Sequence, residues 1–273
     1  MPGYVGVILR RTGEHGVSPY AVRVPPTTIA DLLTLLVREP GRPRITWYGD
    51  DGERVELSGA VLENWVNKTA NLLVEELDAG PGTRVLLDLP GHWRTTVWAT
   101  AVWRVGACVV LDPTTGTTNG TTNGVDVVVT TDPSRHPAAR DVLAVPLPAL
   151  ARRFDGPLPD GAVDAAAAVM TQGDRLGWVP ALDGTADAIV VDGVPVPHRD
   201  LLRRFAGPEG PDRVLAVATG TAATLDVALR TWAADGSLVL LSPGLDATLR
   251  ADPARRSRVL DPERVTRLDP TAG

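Results

Sequence analysis

Three short runs of almost wholly apolar residues constrain the fold more than any other feature of the chain. The runs are RVLLDL at residues 84–89, ACVVLD at 107–112 and VDVVVT at 125–130. A strand that is apolar on both faces is typical of a parallel sheet covered by helices. A helical pattern over residues 92–105 separates the first two runs, and strand, helix, strand in this order predicts parallel strands with right-handed crossovers. The predicted fold class is α/β, a layered sheet with mainly parallel strands flanked by helices.

Similar patterns extend to both sides of these runs. Apolar spacing predicts one helix capped by Thr27 or Thr28 and another over residues 59–77 that begins after Ser58. Between them, RITWY reads as a strand and DDG, at residues 50–52, as a hairpin turn. Further strands are predicted at VLAVPL, ADAIVV, DRVLAVAT and GSLVLLSP, with short helices near residues 160–170, from His198 and at 221–234.

Periodicity also divides the chain into three parts. Residues 1–27 show little pattern and are predicted to be an N-terminal extension. Residues 28–243 carry the predicted α/β domain. Residues 244–273 are rich in Arg, Asp and Pro with little apolar periodicity, so we expect a loosely attached C-terminal tail.

Composition excludes several classes of partner. A net charge of −6 argues against a non-specific binder of nucleic acid or of an anionic membrane. No apolar stretch reaches the roughly 18 residues of a membrane span. The single cysteine, Cys108, lies in an apolar run and is expected to be a core residue. We therefore expect a cytoplasmic protein that binds neither nucleic acid nor membrane.

The segment TTGTTNGTTNG, at residues 114–124, invites two interpretations. Its glycines fit an anion-binding loop, which usually also has a lysine and a following helix. Lys68 is the only lysine of the chain, and a strand pattern follows the segment. The pairs Asn119-Gly120 and Asn123-Gly124 favour tight turns, so a surface loop is the preferred interpretation.

The histidines and tryptophans are further candidates for functional residues. His92 and His198 each stand at a predicted helix start, where a helix cap or a surface position competes with a role as a ligand. Trp93, Trp98 and Trp103 lie five residues apart and spread around a helix, which favours core or interface packing over a nucleotide-stacking platform. No motif for a catalytic nucleophile or a metal site is found, and no catalytic or metal-binding residue is predicted.

Residues 55–113 resemble the N-terminal region of AMP-binding, adenylate-forming enzymes, the acyl-CoA synthetase superfamily. The segment VPVPHRDLL, at 194–202, is similar to the stretch that follows the phosphate loop of that family, and the similarity covers roughly residues 28–243. The matching positions of the first segment are Ala70, Leu72, Gly80, Gly82, Arg84, Val85, Pro90, Gly106, Ala107, Val109, Val110, Leu111, Asp112 and Pro113.

The phosphate loop itself departs from the family pattern TSGTTGxPKG. The segment here is DGTADAIVVDGV, in which Gly184 and Thr185 are what remains of the Ser/Thr/Gly run. Asp192 stands in the place of the lysine, Gly193 matches the final glycine, and His198 begins the HRDLL stretch. A carboxylate beside a triphosphate would repel it. These five residues are the candidate site, interpreted as a degenerate phosphate loop.

The resemblance implies that several hundred further residues, with the adenine site and the catalytic lysine, follow in full-length members. We therefore expect a short bacterial family with a truncated fold and a non-catalytic binding, regulatory or scaffold role. The alternative is an adenylate-forming ligase completed by a partner polypeptide. No cofactor is expected; binding of ATP, AMP or CoA is the open alternative, and the loop does not support it. The truncated edge predicts a homo-oligomer or a protein partner that covers it.

Overall fold

A computed structural model of the protein describes residues 25–111, 117–118, 121–122, 124–204 and 210–272. The α-helices of these residues are α1 (Ile29–Leu36), α2 (Gly59–Leu77), α3 (Trp93–Arg104), α4 (Ala165–Thr171), α5 (His198–Arg204), α6 (Thr221–Ala233), α7 (Pro243–Ala251) and α8 (Pro253–Leu260). The strands are β1 (Pro43–Tyr48), β2 (Arg54–Ser58), β3 (Arg84–Asp88), β4 (Cys108–Val110), β5 (Thr117–Thr118), β6 (Thr121–Thr122), β7 (Val127–Thr130), β8 (Asp141–Ala144), β9 (Val163–Asp164), β10 (Asp187–Val191), β11 (Val194–Pro197), β12 (Arg213–Val217), β13 (Ser237–Leu241) and β14 (Arg267–Leu268).

The strands form two main sheets. The seven-stranded sheet has the order β11-β10-β4-β3-β7-β8-β9 and is parallel except for the β10–β11 hairpin. The five-stranded sheet has the order β14-β12-β13-β1-β2 and is parallel except for the β1–β2 hairpin. The predicted fold class, mainly parallel strands flanked by helices, is confirmed.

Local sequence signals explain where the helices begin. The Thr28 hydroxyl accepts a hydrogen bond from the backbone N–H of Asp31, and the Asp31 carboxylate accepts one from the backbone N–H of Thr28, so both N-terminal donors are satisfied. Ser58 caps α2 in the predicted place. Such caps contribute about 1 kcal/mol each, and burial of the apolar face supplies most of the remaining stability.

Helix α3 lies at the centre of the core and contacts β1 of one sheet and β3 and β4 of the other. All three of its tryptophans are buried, which confirms that they pack in the core. The indole N–H of Trp103 donates to the carbonyl of Ala188, 2.8 Å away in β10. Cys108 is buried as well, and burial raises the pKa of its thiol to about 11, as expected for an inert core residue.

Residues 243–272 differ from the expected loose tail. Helix α7 places Leu245 and Leu249 against the outer face of the five-stranded sheet, and β14 adds a parallel strand beside β12. The Glu263 carboxylate is buried and pairs with Arg213 and Arg54. The segment is therefore part of the fold. Its apolar periodicity is weak because α8 buries no residue and β14 is only two residues long.

Two further expectations fall partly outside the described residues. Residues 1–24 of the predicted N-terminal extension lie outside them. In the threonine-rich segment, the backbones of Thr117–Thr118 and Thr121–Thr122 pair as antiparallel strands, whereas Asn119, Gly120 and Asn123 lie outside. Within the described part of the chain, no helix is both long and apolar enough to span a bilayer.

Candidate functional site

The carboxyl ends of β10, β4, β3, β7 and β8 meet along one side of the seven-stranded sheet, because these strands are mutually parallel. This side is called the carboxyl edge below. Ligands of open α/β sheets usually bind at such an edge. The arrangement of the five predicted site residues relative to this edge decides what the region can bind.

Asp192 and Gly193 lie at the carboxyl edge, in a two-residue turn between β10 and β11. Val191 pairs with Val194, and the two turn residues have φ values of 50° and 74°. Two consecutive positive φ angles define the tight hairpin turn that Asp-Gly sequences favour. Both residues are exposed. The turn predicted at Asp192 and Gly193 is confirmed, and it is the whole connection between the two strands.

Gly184, Thr185 and His198 lie at the opposite end of the same hairpin. The backbone N–H of His198 donates to the Ala186 carbonyl, and that of Arg199 donates to the Gly184 carbonyl, each at 3.0 Å. Five residues of strand, about 16 Å, separate this end from the turn at Asp192 and Gly193. The structure thus divides the five predicted residues into two groups at opposite sides of the sheet.

The side chains of Asp183 and Thr185 at this second end bind each other. The Asp183 carboxylate accepts hydrogen bonds from the backbone N–H and the hydroxyl of Thr185, at 2.8 and 2.7 Å. These bonds lower the pKa of Asp183. His198 begins α5, as predicted, but its ring is buried. Burial lowers the pKa of His198, and the carbonyls of Gly106 and Ala107 oppose that effect.

The only lysine lies in the middle of α2 and is held there. The Lys68 ammonium donates to the carbonyl of Gln172 at 2.5 Å and forms an ion pair with Asp174 at 2.8 Å. The hydrogen bond and charge of Lys68 also lower the pKa of the Asp174 carboxyl. Lys68 thus ties α2 to the segment after α4.

A polar cluster at the carboxyl edge was not predicted from the sequence. Asp88 Oδ2 lies 2.8 Å from His136 Nε2, accepts from the Thr130 hydroxyl at 3.1 Å, and pairs with Arg135 at 3.3 Å. Asp88 and Thr130 are the last residues of adjacent strands and pair with each other. The polar residues that end the runs RVLLD and VVVT were the sequence signal that could have predicted this cluster. The His136 ring is buried and its Nδ1 has no partner among the described residues. The cluster joins β3 to the segment after β7.

His92 is a helix cap, as one of the two interpretations expected. Its Nδ1 accepts a hydrogen bond from the backbone N–H of Arg94 at 3.2 Å, and its ring packs edge-on against Trp47 with centroids 4.5 Å apart. Burial, and secondarily the charge of Arg94, lowers the pKa of His92 to about 3. The residue is therefore neutral at physiological pH.

No group of three or more metal-ligating side chains is found in the described part of the chain. The described residues therefore lack a cluster of His, Cys, Asp or Glu side chains with enough ligands for a structural or catalytic metal site.

Three solved structures that share the fold are synthetases. An acyl-CoA synthetase from Brucella canis superposes with a TM-score of 0.64 and 21% identity, over 89% of this chain and 51% of its own. For acetoacetyl-CoA synthetase from Streptomyces lividans the values are 0.65, 16%, 88% and 46%. For an amide bond synthetase from Marinactinospora thermotolerans they are 0.57, 19%, 88% and 48%. The chain thus spans about half the length of these enzymes and shares the fold of the N-terminal subdomains of adenylate-forming enzymes.

Sequence comparison identifies the family of the chain. No protein-family model matches it. A protein from Mycobacterium tuberculosis described as a TIGR03089 family protein is 35% identical over 258 residues, which cover 89% of this chain and 98% of the relative. At that identity and coverage the relationship is one of family and not of fold alone, and the chain belongs to the TIGR03089 family.

Proposed function

We propose that this protein is a non-catalytic binding, regulatory or scaffold protein built on the N-terminal part of the adenylate-forming fold. One observation carries the proposal: where the resemblance expects a phosphate loop, β10 and β11 are joined only by Asp192 and Gly193. A phosphate loop surrounds its anion with several backbone N–H groups and places positive charge beside it. A two-residue turn with an exposed carboxylate offers neither.

The positions of Thr185 and Lys68 support this role, because both side chains already bind other residues of the chain. Thr185 binds Asp183 and lies at the other end of the hairpin, so it is not placed to assist the turn at Asp192. Lys68, which lies in α2, is paired with Asp174 after α4. Charged groups stabilise a transferring phosphoryl or adenylyl group only when they are aimed at it. Neither Thr185 nor Lys68 is aimed at the place where the turn would hold a phosphate, which supports a role without activation of a carboxylic acid by ATP.

The decisive experiment is ATP–pyrophosphate exchange. Pure protein is incubated with ATP, Mg²⁺, labelled pyrophosphate and a panel of carboxylic acids, beside a heat-inactivated sample and a full-length acyl-CoA synthetase. We expect exchange at the level of the inactivated sample. Exchange above that level would overturn the proposal. Exchange that appears only when a co-purifying protein is added back would support the alternative, a ligase completed by a partner.

A further inference from the structure

A cavity of about 450 Å³ lies between helices α2, α3 and α4. This volume lies within the range of small-molecule sites, roughly 300–1,000 Å³. The segment 145–152, which follows β8, forms the fourth wall. The walls are mainly apolar and include Trp65, Trp93, Arg94, Leu150, Ala166 and Met170.

Arg94 is the charged group enclosed by these walls, and only 7% of it is exposed. Its guanidinium lies over the ring of Trp93 with the carbon 4.4 Å from the centroid, and 5.5 Å from that of Trp65. Its Nε donates to the carbonyl of Leu147, and Nη2 donates to those of Pro148 and Ala149. These bonds and rings fix the guanidinium in one orientation.

The charge of Arg94 has no direct counterpart. No carboxylate lies within ion-pair distance of it, and Nη1 makes no hydrogen bond, among the described residues. Burial lowers the pKa of Arg94 to about 10 and the more distant Glu53 opposes this, so the group is charged at neutral pH. A buried charge is costly unless it is paired. An anion at Nη1 would supply the pair.

Large apolar side chains flank the mouth of the cavity, beside the exposed Arg152. Leu150, 93% exposed, and Met170, 60% exposed, stand at its rim. Large apolar side chains grouped beside a cavity mark binding surfaces more often than isolated ones do. A ligand with an apolar body is therefore favoured, with its charged end directed inward to Arg94.

We propose that this cavity binds a small amphipathic anion, with its apolar body between Trp65, Trp93 and α4 and its acidic head on Nη1 of Arg94. The proposal deepens the binding role given above by naming the class of ligand. Indole faces and a stacked guanidinium suit a flat or extended apolar body. A carboxylate or sulfonate accepts a hydrogen bond from the charged Nη1 more strongly than a neutral group does.

A matched pair of dyes tests the proposal. Anilinonaphthalene sulfonate and N-phenyl-1-naphthylamine share an aromatic body and differ by the sulfonate. In fluorescence titrations we expect one saturable site that binds the sulfonate about tenfold or more tightly than the neutral dye, as expected for a charged hydrogen bond. Equal affinities for the two dyes, or no saturable binding, would overturn the proposal.

Three variants locate the site. Arg94→Met should abolish the preference for the sulfonate and keep the binding of the neutral dye. Ala166→Phe, which retains Arg94 but fills the cavity from α4, should weaken both dyes about tenfold or more, and it serves even if Arg94→Met fails to fold. Arg153→Met, a change of an exposed arginine outside the cavity lining, should change neither. Undiminished dye binding by Ala166→Phe would contradict the assigned site.

Displacement experiments test whether an aliphatic anion occupies the same site as the aromatic dye. Dodecanoate should displace the bound sulfonate dye, and dodecanol should do so about tenfold less effectively. Equal displacement by the acid and the alcohol would count against a role for Arg94. None of these measurements depends on ATP, so failure of the ligand proposal and failure of the proposed function would be seen in separate experiments.

Discussion

Arg44 Nη1 lies 2.8 Å from Asp235 Oδ1, where the parallel strands β1 and β13 begin. The Arg44 side chain is wholly buried, and it also donates to the carbonyls of Leu36, Asp235 and Gly236. Burial lowers the pKa of Arg44, and the Asp235 charge opposes this. One arginine thus ties the end of α1 to the residues that precede β13, which lie about 190 positions later in the chain.

Replacement of Arg44 by Met is expected to destabilise the protein strongly. The substitution leaves a largely buried carboxylate and three carbonyls without this donor, and breaking a buried pair costs about 3–5 kcal/mol. Arg42→Met is the control, because Arg42 is partly exposed and lies 3.8 Å from the same carboxylate; its loss should cost about 1 kcal/mol or less. Urea unfolding of both variants measures the difference, and equal midpoints would contradict the assignment.

The C-terminal segment offers a second matched pair, a buried and an exposed leucine. Leu249 of α7 is fully buried in the cluster under the five-stranded sheet, whereas Leu268 of β14 is 56% exposed. Leu249→Ala should lower the free energy of unfolding by about 2–5 kcal/mol, and Leu268→Ala should change it by about 0.5 kcal/mol or less. If the two variants unfolded alike, residues 243–272 would not be integral to the fold as described.

The turn at Asp192 and Gly193 predicts unequal responses of two glycines to alanine. Gly193 has a φ of 74°, where a side chain costs about 1–2 kcal/mol. Gly184 has no such angle, and an added Cβ would meet only Arg199 at an ordinary contact distance of 3.6 Å. Thermal unfolding should therefore show a clear loss for Gly193→Ala and almost none for Gly184→Ala. The reverse order would disprove the two-residue turn.

Much of the local structure could be predicted because its causes are local. Ser58 and the spacing of apolar residues behind it define α2 over residues 59–77 as observed. The pairing of the strands could not be predicted in the same way. Ile45 of β1 pairs with Leu238 of β13, and nothing near either residue indicates which of the two sheets it joins. That choice depends on how the helices of the whole chain pack.

In the candidate site, too, local features could be predicted from the sequence and long-range contacts could not. The turn at Asp192 and Gly193 was predictable because Asp-Gly pairs favour tight hairpins. The resemblance grouped Gly184 with that turn, although the apolar run between them reads as a strand, and the structure separates them. The cavity around Arg94 could not be predicted, because the carbonyls that bind the guanidinium belong to residues 147–149, more than fifty positions away.

Exposed apolar side chains support the prediction of an oligomer or a protein partner, which can be tested directly. Trp178 is 77% exposed and Val194, on the edge strand β11, is 60% exposed. Exposed apolar groups and open strand edges favour association. We expect a dimer or larger species by light scattering, and Trp178→Ser together with Val194→Lys should shift it toward the monomer. A strictly monomeric protein at high concentration would refute the homo-oligomer.

The buried cap His92 predicts how stability depends on pH. Its pKa is about 3 in the folded protein, compared with an ordinary value of 6.5. Between these values the unfolded chain binds the proton and the folded protein does not, so stability rises with pH and is lost as the pH falls below 6.5. The loss is up to about 1.4 kcal/mol per pH unit.

His92→Asn isolates this contribution, because asparagine also caps helices and does not titrate. Between pH 7 and pH 5, the free energy of unfolding of the wild type should fall by about 2 kcal/mol more than that of the variant. Other groups, including His198, whose pKa is also lowered by burial, act equally in both proteins and cancel. Urea titrations at the two pH values measure the difference. A parallel fall in both proteins would show that His92 is protonated as readily in the folded state as in the unfolded chain.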